Sequence, residues 1–333
     1  MTTGGPDDRP YNVLISSAGR RVSLLTAFRQ SLTDLGLSGR ILATDMSRSS
    51  AARWSADSSF DVPPCSDPGF VPALLEICDR EQVRLIVPTI DTELQPLTQH
   101  SAAFRALGTV VAVSGPVTIE IGFDKVRTHA FLHEAGLPTV PQSSVKEAPG
   151  AFDPLVGAFV VKPRWGSAGE GVRTVEDLSV LPEGEDLIVQ ALATGHEYTI
   201  DALIDGQGDL VCVVPRRRLE VRAGEVSKGM TVRHPLAIHV ASRLCAALPD
   251  AYGAITIQMF VDDEAERVNV IEINPRFGGG FPLTFEAGAV FPEWLIEDAM
   301  GRRLGSRQDS WREGVVMLRF DDAIFIERSD IGL

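Results

Sequence analysis

The sequence predicts an α/β protein in two parts: a doubly wound parallel sheet over roughly the first 115 residues, then an α+β part built on antiparallel strands. Two observations predict it. Up to Val113, short apolar runs alternate with segments of helical periodicity, the pattern of a parallel sheet covered by helices. From Leu187 onward strand-like runs succeed one another through polar turns, and 254–261 with 267–274 reads as a hairpin. A chain of 333 residues suits two or three domains, with boundaries expected at 1–117, 118–192 and 193–333.

Residues 11–15 form the first apolar run, and Ser16-Ser17-Ala18-Gly19-Arg20-Arg21 follows as a loop. Val22, Leu25, Phe28, Leu32 and Leu35 then recur at helical spacing, and Gly36 closes the helix. Residues 40–44 predict a second strand ending at Asp45, 60–62 a third, 70–80 a helix, and 85–87 a strand leading into Thr89 to Glu93. The strand 109–113 completes the sheet. Such sheets bind ligands beyond the carboxyl ends of their strands, which nominates Arg20, Asp45 and Glu93. A dinucleotide site is the rival here, but G-x-G-x-x-G needs three glycines and this loop supplies only Gly19.

After Gly115-Pro116 the character changes. Residues 123–135 predict a helix stopped by Gly136-Leu137-Pro138, and 159–163 a strand. The loop 164–172 then carries Gly166, Ser167, Gly169 and Gly171, whose backbone N–H groups suit phosphate oxygens. It is not a Walker A loop, because Lys162 precedes the glycines. Strands are expected at 188–190, 198–204 and 210–214, followed by a helix at 236–248. Of the cluster Arg216, Arg217 and Arg218, Arg217 is nominated to grip a substrate carboxylate through a bidentate guanidinium, with Lys228 nearby in sequence.

The hairpin is the most informative stretch. A turn centred on Ala265 opposes Gln258 to Glu272 and Thr256 to Asn274, all on one face. A carboxylate among isoleucines on a half-buried strand is costly unless compensated, and Gln258, Glu272 and Asn274 form an oxygen-rich set suited to Mg²⁺ (or Mn²⁺). Arg276 follows one strand end beyond, placed to stabilise a transferred phosphoryl group. Gly278-Gly279-Gly280, before a helix beginning near Pro282, reads as a second anion nest, with Gly279 facing substrate.

Charge and composition exclude other classes. The formal charge is −14 at pH 7, the opposite of a nucleic-acid footprint. No apolar run nears the roughly 20 residues of a membrane span, and the N-terminus does not resemble a signal peptide, so a cytoplasmic protein is expected. Cys65, Cys78, Cys212 and Cys245 are too widely spaced for a metal knuckle and are expected reduced. His129 and His133 have a zinc-pair spacing but lack the glutamate of HExxH.

These pieces together resemble the ATP-grasp superfamily over nearly the whole chain. The branch is the one of carbamoyl-phosphate synthase large-chain halves, biotin carboxylase and stand-alone carboxylate-amine ligases. The resemblance implies an ATP-grasp fold behind an N-terminal pre-ATP-grasp domain, with ATP and Mg²⁺ as cofactors. It implies that Lys125 and Lys162 meet the nucleotide phosphates, that Gly166, Ser167 and Gly169 belong to the lid, and that Gln190, Ala191 and Leu192 form the adenine hinge. Gln190 stands there where glutamate is usual. Glu197 matches the ribose-binding acid, Gln258, Glu272 and Asn274 the metal positions, and Arg276, with Lys162, the catalytic cations. The implied reaction phosphorylates a carboxylate to an acyl phosphate, releases ADP, and passes the acyl group to an amine. The partners are then a small carboxylate and an amine, amino-acid-like, in a biosynthetic setting, with neither nucleic acid nor membrane; a homodimer stays open. The alternatives are a small-molecule carboxylate kinase, a bicarbonate-activating enzyme of carbamoyl-phosphate type, and a non-catalytic nucleotide sensor.

Overall fold

The computed structural model describes residues 9–152, 157–166, 171–182, 184, 186–222 and 224–331. It divides into two compact units. One is Met1–Val113 with Val290–Arg303 and Asp321–Leu333, and the other is Ser114–Ala289 with Leu304–Phe320.

In the first unit, β1 (Asn12–Ser16), β2 (Ile41–Asp45), β3 (Ser58–Asp61), β4 (Val83–Pro88) and β5 (Val110–Val111) form a parallel sheet in the order β3-β2-β1-β4-β5. The crossover helices are amphipathic as the sequence spacing requires. Val22–Asp34 buries Leu24, Leu25, Phe28 and Leu32, and Phe70–Arg80 buries Phe70, Val71, Leu74 and Ile77. The helix Phe291–Ala299 packs against Val22–Asp34 and buries Phe291, Trp294, Leu295 and Ile296. Within the expected 193–333, Val290–Arg303 and Asp321–Leu333 thus group with this unit, an arrangement that no local pattern announces.

The second unit holds two antiparallel sheets. β6 (Gln142–Ser144), β7 (Phe159–Pro163), β8 (Arg173–Val175) and β9 (Leu187–Ala191) are ordered β6-β9-β7-β8. β10 (His196–Ile204), β11 (Leu210–Arg222), β12 (Glu225–Thr231), β13 (Gly253–Asp262), β14 (Arg267–Asn274) and β15 (Val316–Leu318) are ordered β14-β13-β10-β11-β12-β15. Beneath the larger sheet, Ile200, Ile255, Ile257 and Met259 pack with Val240, Ala241 and Leu244 of the helix Pro235–Ala247.

Two elements differ from expectation in ways that matter for the site. The helix expected at 123–135 is present as Lys125–Glu134, and an unexpected helix, Pro116–Phe123, precedes it; between them the Asp124 carboxylate accepts from Val126 N–H and caps the second, fixing Lys125 in its first turn. The strand expected to stop at 214 continues as β11 to Arg222, and β12 pairs along it. Arg216-Arg217-Arg218 puts charge on both faces and interrupts the alternation, which Leu219 and Val221 resume only beyond it.

The hairpin register is as the sequence predicts at its functional end: Gln258 pairs with Glu272, and Thr256 with Asn274. Toward the turn Met259 pairs with Val270, so a one-residue bulge at Ile271 offsets the remainder.

Candidate functional site

A cavity of about 290 Å³ opens within the second unit, lined from both sheets. Strand alternation selects its wall. On the larger sheet Glu197, Gln258, Phe260, Glu272 and Arg218 line it, and on the smaller one Val160, Lys162, Gln190 and Ala191. Lys125, Trp165, Gly166, Val172 and Leu192 complete much of the rest.

Its charge is concentrated in two buried lysines. Lys125 is 8% and Lys162 6% exposed, and Lys125 Nζ donates to the Gly166 carbonyl at 2.7 Å. Burial pushes the Lys162 ammonium down to about 8; Glu272 pulls it back up and Lys125 pushes it further down. Two buried ammonium groups, with the Glu272 carboxylate near enough to act on Lys162, suit an incoming polyphosphate, whose negative charge would offset that penalty. The nucleotide therefore fits the residues present.

The divalent cation fits as well. Glu272 and Gln258 face each other across the strand pair, and Asn274 lies two residues on along the same face. One carboxylate and two amide oxygens are a hard-oxygen set that leaves most positions to water and phosphate. Consistently, among the described residues no group of three His, Cys, Asp or Glu could hold a metal by itself. Arg276 stands beside this set: its Nη2 donates to Asn274 Oδ1 at 3.3 Å, and its carbonyl accepts from Thr256 Oγ1 at 2.8 Å.

The base of the glycine loop is tied to the Lys125 helix. Arg164 donates to both oxygens of the capping Asp124, at 2.8 and 2.5 Å, and lies over the Trp165 ring at 4.9 Å. Gly166 takes φ +105°, open to glycine and strained for other residues. Ser167 and Gly169 lie outside the described residues. At the expected hinge, Gln190 Nε2 donates to Gln142 Oε1 at 2.8 Å, and the N–H groups of Ala191 and Leu192 donate to the Pro141 and Ala158 carbonyls. Those two donors are engaged, so a base reading this stretch meets its carbonyls first.

The nominated substrate residues fall differently. Arg217 is paired with Tyr198, so it shares the sheet face that packs on the helix and contacts the exposed His196 ring; Arg216 and Arg218 take the cavity face. Lys228 Nζ is engaged with Glu220 at 2.7 Å, away from the cavity. Gly278, Gly279 and Gly280 are packed rather than open as a nest. A Cβ on Gly279 would lie 3.0 Å from the Glu225 carboxylate, and one on Gly280 2.2 Å from Arg216 Nη1. The helix after them, Phe281–Glu286, is short, and its start offers little to an anion.

In the first unit Arg20 is exposed before its helix. Asp45 accepts from Gly19 and Ser47 N–H, both at 2.8 Å, and so holds its own loop. Glu93 is fully buried. One of its oxygens accepts from the Ser16 and Ser17 hydroxyls and the other from the Thr89 and Ile90 N–H groups. The crevice between β1 and β4, where strand order reverses and a ligand would be expected, is thus closed by the chain's own carboxylate.

Sequence reading missed Arg218. It is the residue opposite Glu197 when the β10–β11 register is continued by one pair, and its Nη1 donates to Glu197 Oε1. The same even–odd alternation that separates Arg217 from the cavity would have found it.

Residues 13–112 match the PylC-like N-terminal domain and residues 123–280 the ATP-grasp domain. Over 229 residues the chain is 24% identical to the carbamoyl phosphate synthase large chain of Thermomicrobium roseum, covering 62% of this chain and 21% of that one. It is 24% identical over 223 residues to the 2-oxoglutarate carboxylase small subunit of Hydrogenobacter thermophilus, covering 58% and 47%. The chain thus spans about a fifth of the synthase and about half of the carboxylase subunit. Among solved structures, N5-carboxyaminoimidazole synthetase from Staphylococcus aureus complexed with ADP superposes with a TM-score of 0.69 at 14% identity, covering 94% of this chain and 95% of that one. The biotin carboxylase β,γ-ATP complex from Campylobacter jejuni gives 0.71 at 16% identity, covering 93% and 75%. Among the described residues no helix is long and apolar enough to cross a membrane.

Proposed function

We propose that this chain, an ATP-grasp protein with a PylC-like N-terminal domain, is an ADP-forming ligase that activates a small carboxylate and joins it to an amine. The observation that carries the reading is the pairing of two buried lysines with the Gln258–Glu272 strand pair around one cavity. When bound, ATP with Mg²⁺ supplies the phosphoryl group that turns a carboxylate into an acyl phosphate. Lys125 and Lys162 neutralise phosphate oxygens in a setting that excludes water, where each charge counts for more than in solvent. Glu272, Gln258 and Asn274 hold the cation, and Arg276, anchored beside Asn274, meets charge that develops on the group in transfer. No protein nucleophile is required, since the substrate carboxylate attacks directly.

A second reading keeps the same first step with bicarbonate as the acid. It is favoured by the relatives, which include a carbamoyl phosphate synthase chain and, among the structures, a carboxylase domain bound to MgADP and bicarbonate.

Substrate-dependent ADP release decides. Turnover that needs an amine together with an organic acid supports the first reading, and turnover with bicarbonate alone supports the second. Release of AMP and pyrophosphate overturns both. Glu272→Ala lowers turnover by on the order of a hundredfold or more, and an unimpaired variant would remove the metal assignment.

A further inference from the structure

The larger sheet of the second unit ends on a strand with little protection. β15 is bonded to β12, with Lys228 opposite Leu318 and Met230 opposite Val316. Alternate residues make its inner bonds: Arg319 N–H donates to the Ser227 carbonyl, and the Val315 carbonyl accepts from Thr231 N–H. The same alternation turns the N–H and carbonyl groups of Val316, Leu318 and Phe320 outward, where among the described residues no strand pairs with them. The side chains of these three are 50%, 68% and 79% exposed. They stand on the face away from Arg319, whose guanidinium reaches back to the Gly279 carbonyl and the Glu225 carboxylate. Sheet edges are ordinarily blunted by an outward charge, a proline or a bulge, whereas this one presents valine, leucine and phenylalanine in alternation.

The features of this edge suit a second copy of the same chain. An antiparallel edge is self-complementary, since the strand turned about a two-fold axis supplies a donor for each of its own acceptors. A register centred on Leu318 sets Val316 against Phe320 and Met317 against Arg319, so apolar pairs form on one face and Arg319 never meets its own copy. Centring on Arg319 would oppose two like charges. The cations here are also neutralised within the chain, Lys228 by Glu220 and Arg319 by Glu225. Two molecules of charge −14 can therefore approach at this edge without the repulsion that net charge imposes elsewhere. Side chains and backbone edge together offer about 500 Å² a copy, hence about 1,000 Å² in the pair, the low end for a specific interface and the range of a concentration-dependent dimer.

We propose that β15 pairs antiparallel with β15 of a second copy about a two-fold axis at Leu318, so that the two six-stranded sheets run on as one. Backbone hydrogen bonds from Val316, Leu318 and Phe320 supply the attachment, and their side chains fix the register.

Sedimentation of the intact chain between about 1 and 100 µM is expected to carry its mass from 36.0 kDa to twice that value and no further. Leu318→Lys removes the apolar centre and sets like charges opposite each other. Leu318→Pro removes the outward N–H and spares the bonds to β12, which its neighbours make. Both variants stay monomeric at every concentration, with thermal midpoints near the wild type that show the fold intact. Leu318→Cys lies opposite its own copy at a Cα separation of about 5.5 Å and becomes a covalent dimer under mild oxidation, while the wild type does not; this result is independent of how the other two variants fold. A wild type that is monomeric throughout the range overturns the proposal and leaves the edge to a different partner. So does a dimer that survives both Leu318→Lys and Leu318→Pro, because it would use another surface. Growth beyond two copies, or Leu318→Cys that fails to cross-link, overturns the two-fold register.

Discussion

Lys162 shows how a single buried cation ties pH to binding. Its ammonium is held at about 8, below the ordinary 10.5, first by burial and then by Lys125. Between those two values the folded chain holds fewer protons than the unfolded one, so the stability of the nucleotide-free protein rises as pH climbs from about 8 toward 10.5. Phosphates favour the charged form, so nucleotide affinity falls as pH passes about 8, approaching tenfold per pH unit. Titrations from pH 7 to 10 check this, with Lys162→Met as the control that binds weakly throughout and lacks the slope; equal slopes in both would refute the assignment. At this scale the sequence was legible where spacing alone decides. Glu272 and Asn274 are two apart on one strand and Gln258 lies across a recognisable turn, so the pairing of Gln258 with Glu272 follows by counting. It was illegible where three arginines run together, because which of them faces the cavity depends on a partner strand far along the chain.

Elements carry the second lesson, that glycines and carboxylates in loops are read more safely as packing than as ligand sites. The Gly278–Gly280 segment looks like an anion nest in sequence, yet it is pressed against Thr256, Glu225 and Arg216. Arg216 is 1% exposed and bidentate to Asp201, which also accepts from Thr284 Oγ1, so it cannot swing aside cheaply. Gly280→Ala, whose Cβ would lie 2.2 Å from Arg216 Nη1, is expected to cost about 1–3 kcal/mol by overpacking, read as a lowered urea midpoint at unchanged m-value. A midpoint equal to wild type would show that the loop has slack. Glu93 teaches the same in the parallel sheet. A short acid-rich loop after a strand suggests a ligand, whereas the carboxylate serves Ser16, Ser17, Thr89 and Ile90, which only the tertiary fold brings within its reach. Strand existence was read well in apolar stretches, and β12 and β15 escaped because their partners, not their own patterns, make them strands.

For the molecule as a whole, a charge of −14 means that a polyanionic ligand approaches an acidic surface and is held by a few sheltered cations. The division into units adds something about the making of the protein. The second unit is inserted in the first, whose closing helix Phe291–Ala299 covers apolar residues of Val22–Asp34 and buries Trp294 to 2% exposure. A ribosome finishes the parallel sheet long before it makes that helix, so the nascent first unit waits with an uncovered flank while the second unit is synthesised and folds. A truncated chain ending at Val113 is accordingly expected to bind a hydrophobic dye strongly, and a separately added peptide spanning 290–303 to suppress that binding with a blue shift of Trp294 emission. Synthesis order and packing order are therefore out of step in the first unit, whose amino-terminal segment meets its last helix only after the whole inserted unit has been made.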